Sequence, residues 1–314
     1  MKKKNGKILF RAMIFGALLA AGSITAVKTV QAAEIIKTAG IARAVKKTET
    51  VPPAGEKRIR TDTLSFDVTR FVLPEDAKAL VVTEGFAVNG GKSVYRSGYV
   101  ENEALWNRAR VTVFSKNASG AWEAKIQSAA VYGWGGMSNH RHSGDGTTPI
   151  GLWKADTAFG RAKAEEGFPA EYVQISLTAR NQYWSDSTNR LMVNSDISAQ
   201  NGEKLWADWA EEIYAYSLNS GFNKDCAQPG TGSALFLHCS KAGKPSTAGC
   251  VAMAPEAMKA ILRLYAKGGL YVAQAPEGQF ETVYAAYSES GAAAPGSFSA
   301  PERQLPETKT VVIE

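Results

Sequence analysis

Residues 238–253 read HCSKAGKPSTAGCVAM and place a histidine and a cysteine at the two ends of a loop of small and turn-forming residues. The whole chain has only three cysteines and three histidines. Upstream, residues 233–240 are mostly apolar and alternate in a way that predicts a strand ending near His238. Downstream, residues 255–269 have apolar side chains at helical spacing after a proline, which predicts a helix. A strand, a loop and a helix in this order bring His238 and Cys250 within reach of each other.

Such a pair suits nucleophilic catalysis. The Cys250 thiolate attacks a carbonyl, and the His238 imidazole takes the thiol proton and returns it to the leaving group. Gly249 permits close approach of the backbone, and the Cys250 N–H is placed to face a developing oxyanion. The structural alternative is that Cys250 is a small core residue and that His238 only bonds to a neighbour. Spacing alone does not decide between the two readings.

Outside this region, the alternation of apolar and polar residues predicts mostly strands. Residues 108–134 give two alternating runs around a turn at 117–120, which is a hairpin pattern. Residues 77–88 and 171–178 are further strand candidates. Residues 203–214 place Leu205, Trp209 and Ile213 on one helical face, which predicts a second helix. The fold class expected from this balance is mainly β or α+β, with a few helices packed on the sheets.

The ends of the chain differ from its middle. Residues 1–32 have a basic start, a short apolar run and small residues before a cleavage point, so they predict a signal peptide and an exported protein. An uncleaved membrane anchor is the alternative. Residues 33–62 are interpreted as a linker or spacer, 63–288 as the catalytic domain and 289–314 as a flexible tail.

The net charge of +6 comes from the first segment. Residues 1–32 hold six of the 36 basic residues and none of the 30 acidic ones, so the rest of the chain is formally neutral. This balance argues against a nucleic-acid partner, which requires a basic face on the mature protein. No apolar run of about 20 residues follows the signal, so no membrane span is expected after cleavage.

Several ordered blocks resemble one family. The stretch 232–253, with a strand ending in histidine and a later Gly-Cys pair, resembles the catalytic segment of the L,D-transpeptidase (YkuD-type) family. Further similar blocks are GDGTTPIGLW (144–153), AFGR (158–161), QYWSDSTNRLMVN (182–194) and IYAYSLNSGFN (213–223). They occur in the family's order over roughly residues 77–275, which is more specific than one motif. The resemblance implies a β-rich catalytic domain and acyl transfer on peptidoglycan stem peptides, without a cofactor or a metal.

The resemblance also implies roles for single residues. Cys250 is the acylated nucleophile, His238 is the general base, and the N–H groups of Gly249 and Cys250 receive the oxyanion. The residues expected to contact substrate are Ser246, Thr247, Trp184, Asp145 and Thr148.

The chain departs from the family pattern in two places. Thr247 and Ala248 stand where many members have Ser-His, and Ala252 stands where many have arginine. The group that orients His238 is therefore open, with a backbone carbonyl near Ser246 or Thr247 as the expectation. Recognition of the substrate carboxylate needs another cation, which the sequence does not identify.

The sequence leaves other functions and other kinds of site undecided. Water in place of an amine at the thioester gives an L,D-carboxypeptidase, and loss of catalysis gives a wall-binding protein that keeps the fold. His140 and His142 suggest a metal site, but no nearby residue spacing fits a zinc signature. The glycines of 144–151 lack the ending of a phosphate-binding loop. Pairing of Cys226 with Cys239 and the oligomeric state are undecided.

Overall fold

The described fold is built around one large sheet. The computed structural model describes residues 61–87, 106–193 and 202–295. The predicted signal peptide and nearly all of the predicted linker lie outside these ranges, as does most of the predicted tail. The described strands are β1 (Ala79–Gly85), β2 (Arg108–Lys116), β3 (Trp122–Val131), β4 (Gly136–Ser138), β5 (Thr147–Pro149), β6 (Gly151–Lys154), β7 (Ala158–Gly160), β8 (Val173–Gln174), β9 (Gln182–Ser185), β10 (Arg190–Val193), β11 (Gly202–Glu203), β12 (Ser217–Asn219), β13 (Phe236–Cys239), β14 (Val251–Met253) and β15 (Leu270–Pro276).

Ten of these strands form the main sheet, in the order β6-β15-β1-β2-β3-β14-β13-β12-β7-β8. Two small sheets, β10-β9-β11 and β4-β5, complete the described strands. The α-helix α1 (Pro255–Tyr265) is the only one in the described ranges. The predicted β-rich α+β class is therefore confirmed.

Strand alternation divides the core into two layers. In β1, Ala79 and Val81 belong to the cluster that also contains Met258 and Ile261 of α1, whereas Leu80 and Val82 belong to a cluster on the other face. This two-residue period is what a strand buried on both faces requires. The helix thus packs on one face of the sheet, close to the strands that carry the candidate site.

The pairing of β13 with β14 determines which of their side chains share a face of the sheet. The two strands are parallel, with Leu237 opposite Val251 and His238 opposite Ala252. Leu237 and Val251 point into the α1 cluster. Phe236 and Cys250 pack in a separate cluster. Since successive side chains alternate, His238 shares the face of Phe236 and Cys250.

The predicted helix over residues 203–214 is wrong. Only Asp208–Ala210 form a short 3-10 turn, and Glu203 lies in β11. The Arg161 guanidinium donates to the carbonyls of Trp206 and Ala207. The Ala207 carbonyl also accepts from the N–H of Ala210 at 2.9 Å, which is the i→i+3 bond of a 3-10 turn and not the i→i+4 bond of an α-helix. Trp209, expected on the buried face, is 52% exposed.

The described chain stays packed beyond residue 288. Trp153 donates from Nε1 to the carbonyl of Ala292 at 2.8 Å, and Ala294 is buried. Residues 289–295, the first part of the predicted tail, therefore contact the core. Among the described residues, no helix is both long and apolar enough to cross a membrane.

Candidate active site

The predicted nucleophile and base line one cavity. This cavity has a volume of about 360 Å³, and both Cys250 and His238 are part of its wall. That volume lies within the usual range of small-ligand sites. The Cys250 residue is 9% exposed and His238 is 5% exposed. The strand pairing, and not proximity along the chain, brings the two side chains to the same face.

His238 is held in one tautomer. Its Nδ1 lies 2.8 Å from the carbonyl oxygen of Cys239. A carbonyl only accepts, so Nδ1 carries the proton and Nε2 keeps the lone pair. The orienting group is thus a backbone carbonyl, as expected, but it belongs to Cys239 and not to the stretch near Ser246 or Thr247. Burial lowers the pKa of His238 to about 4, against a smaller opposing effect of this hydrogen bond.

The thiol of Cys250 is also in its neutral form. Burial raises the pKa of this thiol to about 12. Its Sγ receives a hydrogen bond from the N–H of Phe236 at 3.3 Å and donates to the carbonyl of Ala234 at 3.3 Å. The thiol proton therefore points to Ala234 and not to His238. Transfer to the imidazole needs a rotation of the Cys250 side chain, a change that substrate binding commonly brings about.

The loop before Cys250 is braced by hydrogen bonds. Thr247 donates from Oγ1 to the carbonyl of Cys250 at 2.6 Å and accepts from the N–H of Gly249 at 3.1 Å. Thr148 donates from Oγ1 to the carbonyl of Gly249 at 2.8 Å. The Gly249 N–H, expected as an oxyanion donor, is therefore already occupied. The N–H of Cys250 remains, because it makes no hydrogen bond to another described residue.

Of the five residues predicted to contact substrate, two line the cavity and three do not. Ser246 and Thr247 line the cavity. Trp184 is 1% exposed and donates from Nε1 to Asn189 within the core. Thr148 is fully buried next to Gly249, in the loop before Cys250 that is called the nucleophile loop below. Asp145 accepts from Thr147 and from the N–H of His142, so it shapes the 142–147 turn.

Arg141 is the residue that the sequence reasoning missed. It lines the cavity and is only 5% exposed. Its guanidinium donates to the carbonyls of Thr147 and Thr231, and its second terminal nitrogen lies 3.8 Å from Asp145. Burial lowers the pKa of Arg141, while Asp145 and Cys250 act in the opposite direction. In the sequence, Arg141 lies between His140 and His142, and a single arginine in such a polar loop carries no pattern that predicts a cavity position.

The described residues show neither a metal site nor a disulfide. No group of three or more His, Cys, Asp or Glu side chains among them is arranged to hold a metal ion. All three cysteines are free, and Cys239 is buried with its thiol directed to the carbonyl of Tyr216. The possible pairing of Cys226 with Cys239 is not formed in this structure.

A larger cavity adjoins the first. Its volume is about 760 Å³, and it shares Val131, Lys241, Lys244 and Ala252 with the cavity of Cys250. Its wall contains no cysteine or histidine. The predicted nucleophile and base therefore both lie in the smaller cavity, despite the difference in size.

Comparison with known families agrees with this geometry. The model of the YkuD L,D-transpeptidase catalytic domain matches residues 102–272, more than half of the chain. The chain belongs to this family. The matched range runs from just before β2 into β15 and includes every residue of the cysteine cavity. Comparisons with curated proteins and with solved structures gave no match.

The pKa values of this YkuD domain predict how its thiol reacts. With the pKa of Cys250 at about 12, the alkylation rate should rise about tenfold per pH unit from pH 7 to 10, because only the thiolate reacts. Iodoacetamide labelling of a Cys226→Ser, Cys239→Ser variant, followed by intact mass, measures Cys250 alone. A rate that levels off below pH 8 would instead indicate a preformed thiolate–imidazolium pair.

Proposed function

We propose that the protein is an exported L,D-transpeptidase that forms peptidoglycan cross-links through a Cys250 thioester. The observation that carries the proposal is the shared cavity of Cys250 and His238, formed by the pairing of β13 with β14. Membership in the YkuD family supports the substrate class. The pattern of residues 1–32 supports export, which places the enzyme with its substrate.

The first half-reaction transfers an acyl group to sulfur. Cys250 Sγ attacks the carbonyl carbon of the amide that follows the diamino acid, and His238 Nε2 takes the thiol proton. The oxyanion accepts from the N–H of Cys250. The C–N bond then breaks, the imidazolium gives its proton to the leaving amine, and D-alanine departs.

Arg141 fits the role of the missing substrate cation. Ala252 occupies the position where many family members have arginine, and its strand neighbour is His238. The guanidinium of Arg141 lines the same cavity as Cys250 and His238. Its positive charge favours the Cys250 thiolate electrostatically. We propose that it binds the terminal carboxylate of the donor stem.

An acyl-enzyme assay tests the function. A stem tetrapeptide incubated with the protein should release D-alanine and leave the acyl-tripeptide mass on the peptide that contains Cys250. A cross-linked product identifies transpeptidation, and a free tripeptide identifies the carboxypeptidase alternative. Stem binding without D-alanine release and without an adduct would support the non-catalytic wall-binding alternative and overturn the proposal.

A further inference from the structure

Glu203 is a carboxylate on the cavity wall that lacks a cationic partner. It lines the same cavity as Cys250. Its Oε1 accepts from the hydroxyl of Tyr214 at 2.6 Å, and its Oε2 has no hydrogen bond within the described ranges. No lysine or arginine of those ranges forms an ion pair with it. Burial raises the pKa of Glu203, and the hydrogen bond from Tyr214 acts in the opposite direction.

This placement disfavours the first half-reaction. The Glu203 charge contributes to the raised pKa of Cys250, whereas Arg141 acts against it. A carboxylate beside the nucleophile therefore opposes thiolate formation. A partly buried carboxylate without a cationic partner also costs stability. Both costs point to a use for Glu203 later in the reaction, with a ligand that carries positive charge.

After acylation, the Glu203 charge no longer disfavours the reaction. The thioester sulfur carries no charge, so Glu203 no longer opposes the chemistry. The next reactant, an amine, arrives as an ammonium ion at neutral pH and cannot attack before it loses a proton. Tyr214 holds Glu203, and its ring packs edge-to-face on His238 with centroids 5.5 Å apart. The carboxylate therefore lines the same cavity as both catalytic groups, and Tyr214 links it to the His238 ring.

We propose that Glu203 binds the ammonium group of the acceptor beside the Cys250 thioester and removes one proton from it. This role rests on the proposed function and deepens it, because it selects an amine over water as the second reactant. Water carries no charge for the carboxylate to attract, so the electrostatic gain falls to the ammonium alone.

The proton balance closes without a further reactant. The ammonium gives one proton to Glu203, and the neutral amine attacks the thioester carbonyl. As the C–S bond breaks and the new C–N bond remains, the amine's second proton passes through His238 Nε2 to the leaving sulfur. Glu203 then releases its proton to solvent, and Cys250 is again a thiol.

Glu203→Gln separates the two half-reactions. The amide oxygen of glutamine can still accept from Tyr214, but it has no charge for an ammonium. We expect acylation by the donor stem to become faster, because loss of the negative charge lowers the pKa of Cys250. The ratio of aminolysis to hydrolysis with a second stem tetrapeptide as acceptor should fall at least about tenfold. With hydroxylamine, which is neutral at pH 7, the ratio should stay within about twofold.

A charge-matched labelling experiment tests Glu203 independently of turnover. The rate of Cys250 modification by aminoethyl methanethiosulfonate, a cation, is divided by the rate with the neutral methyl reagent. This quotient should fall at least about threefold in Glu203→Gln and stay constant in Glu211→Gln, an exposed carboxylate outside the cavity. It remains measurable on a protein that forms no thioester, so failure of the proposed function and failure of this inference are distinguishable.

Two results would overturn the inference. One is an unchanged quotient and an unchanged aminolysis ratio in Glu203→Gln. The other is an equal loss of reaction with the stem and with hydroxylamine, which would assign Glu203 a structural role. Thermal unfolding of both variants, compared with wild type, identifies any loss from misfolding.

Discussion

Replacing Cys250 with serine is expected to lower acylation by at least about 10³-fold. The hydroxyl of serine is a much weaker acid than a thiol. The base beside it is also weak, because burial lowers the pKa of His238 to about 4. Attack by sulfur remains possible because a thiol loses its proton more readily than a hydroxyl and the resulting thiolate is intrinsically very nucleophilic. The same imidazole is unable to activate a hydroxyl in this buried cavity.

Intact mass spectrometry with a carbapenem measures this effect, because the resemblance to L,D-transpeptidases implies that such compounds acylate the nucleophile. The wild-type protein should gain one adduct, and Cys250→Ser should gain none. Cys226→Ser is the matched control, since its thiol bonds to the carbonyl of Asp186 and does not line the cavity. An adduct of equal yield on Cys250→Ser would place the nucleophile elsewhere.

The parts of the fold that the sequence predicted have local signals. The hairpin of β2 and β3 and the helix α1 each carry their own periodicity and their own turn or proline signal. His238 and Cys250 were found because they lie at the ends of one loop. For the hairpin and the helix, residues close in sequence determine the structure, whereas the pairing of β13 with β14 places His238 and Cys250 on one face.

The features that could not be predicted from the sequence depend on contacts between residues far apart in the chain. Arg141 reaches the cavity because its guanidinium bonds to Thr231, ninety positions away. The segment 203–214 contains a short 3-10 turn in place of the predicted helix, and the distant Arg161 donates to the carbonyls of Trp206 and Ala207 that precede this turn. Glu203 becomes a cavity residue through the pairing of β11 with β9. No pattern within one segment contains this information.

Replacing Gly249 with alanine is the second large effect that we expect. The φ of Gly249 is +133°, a conformation that side-chain-bearing residues rarely adopt. A Cβ there would lie 2.8 Å from the carbonyl oxygen of Thr147 and 2.9 Å from Cδ1 of Leu235. The Thr147 oxygen belongs to the backbone and accepts from Arg141. It cannot move without disturbing the guanidinium.

The displacement would therefore pass directly to the catalytic groups. A shift of Gly249 moves the N–H of Cys250 and weakens the bonds from Thr247 and Thr148 that hold this loop. We expect acylation to fall at least about 100-fold, since loss of one oxyanion donor alone has that effect. Backbone strain should also cost about 1–3 kcal/mol of unfolding free energy.

Gly120→Ala separates strain from catalysis. Gly120 lies in the β2–β3 turn at φ +81°, but no atom lies within 4 Å of an added Cβ. It should lose stability by about 1–2 kcal/mol and keep the wild-type acylation rate. Urea unfolding and carbapenem acylation, measured on both variants, give the two quantities. Equal acylation rates in Gly249→Ala and wild type would show that the nucleophile loop tolerates displacement, and that the Cys250 N–H does not stabilise the oxyanion.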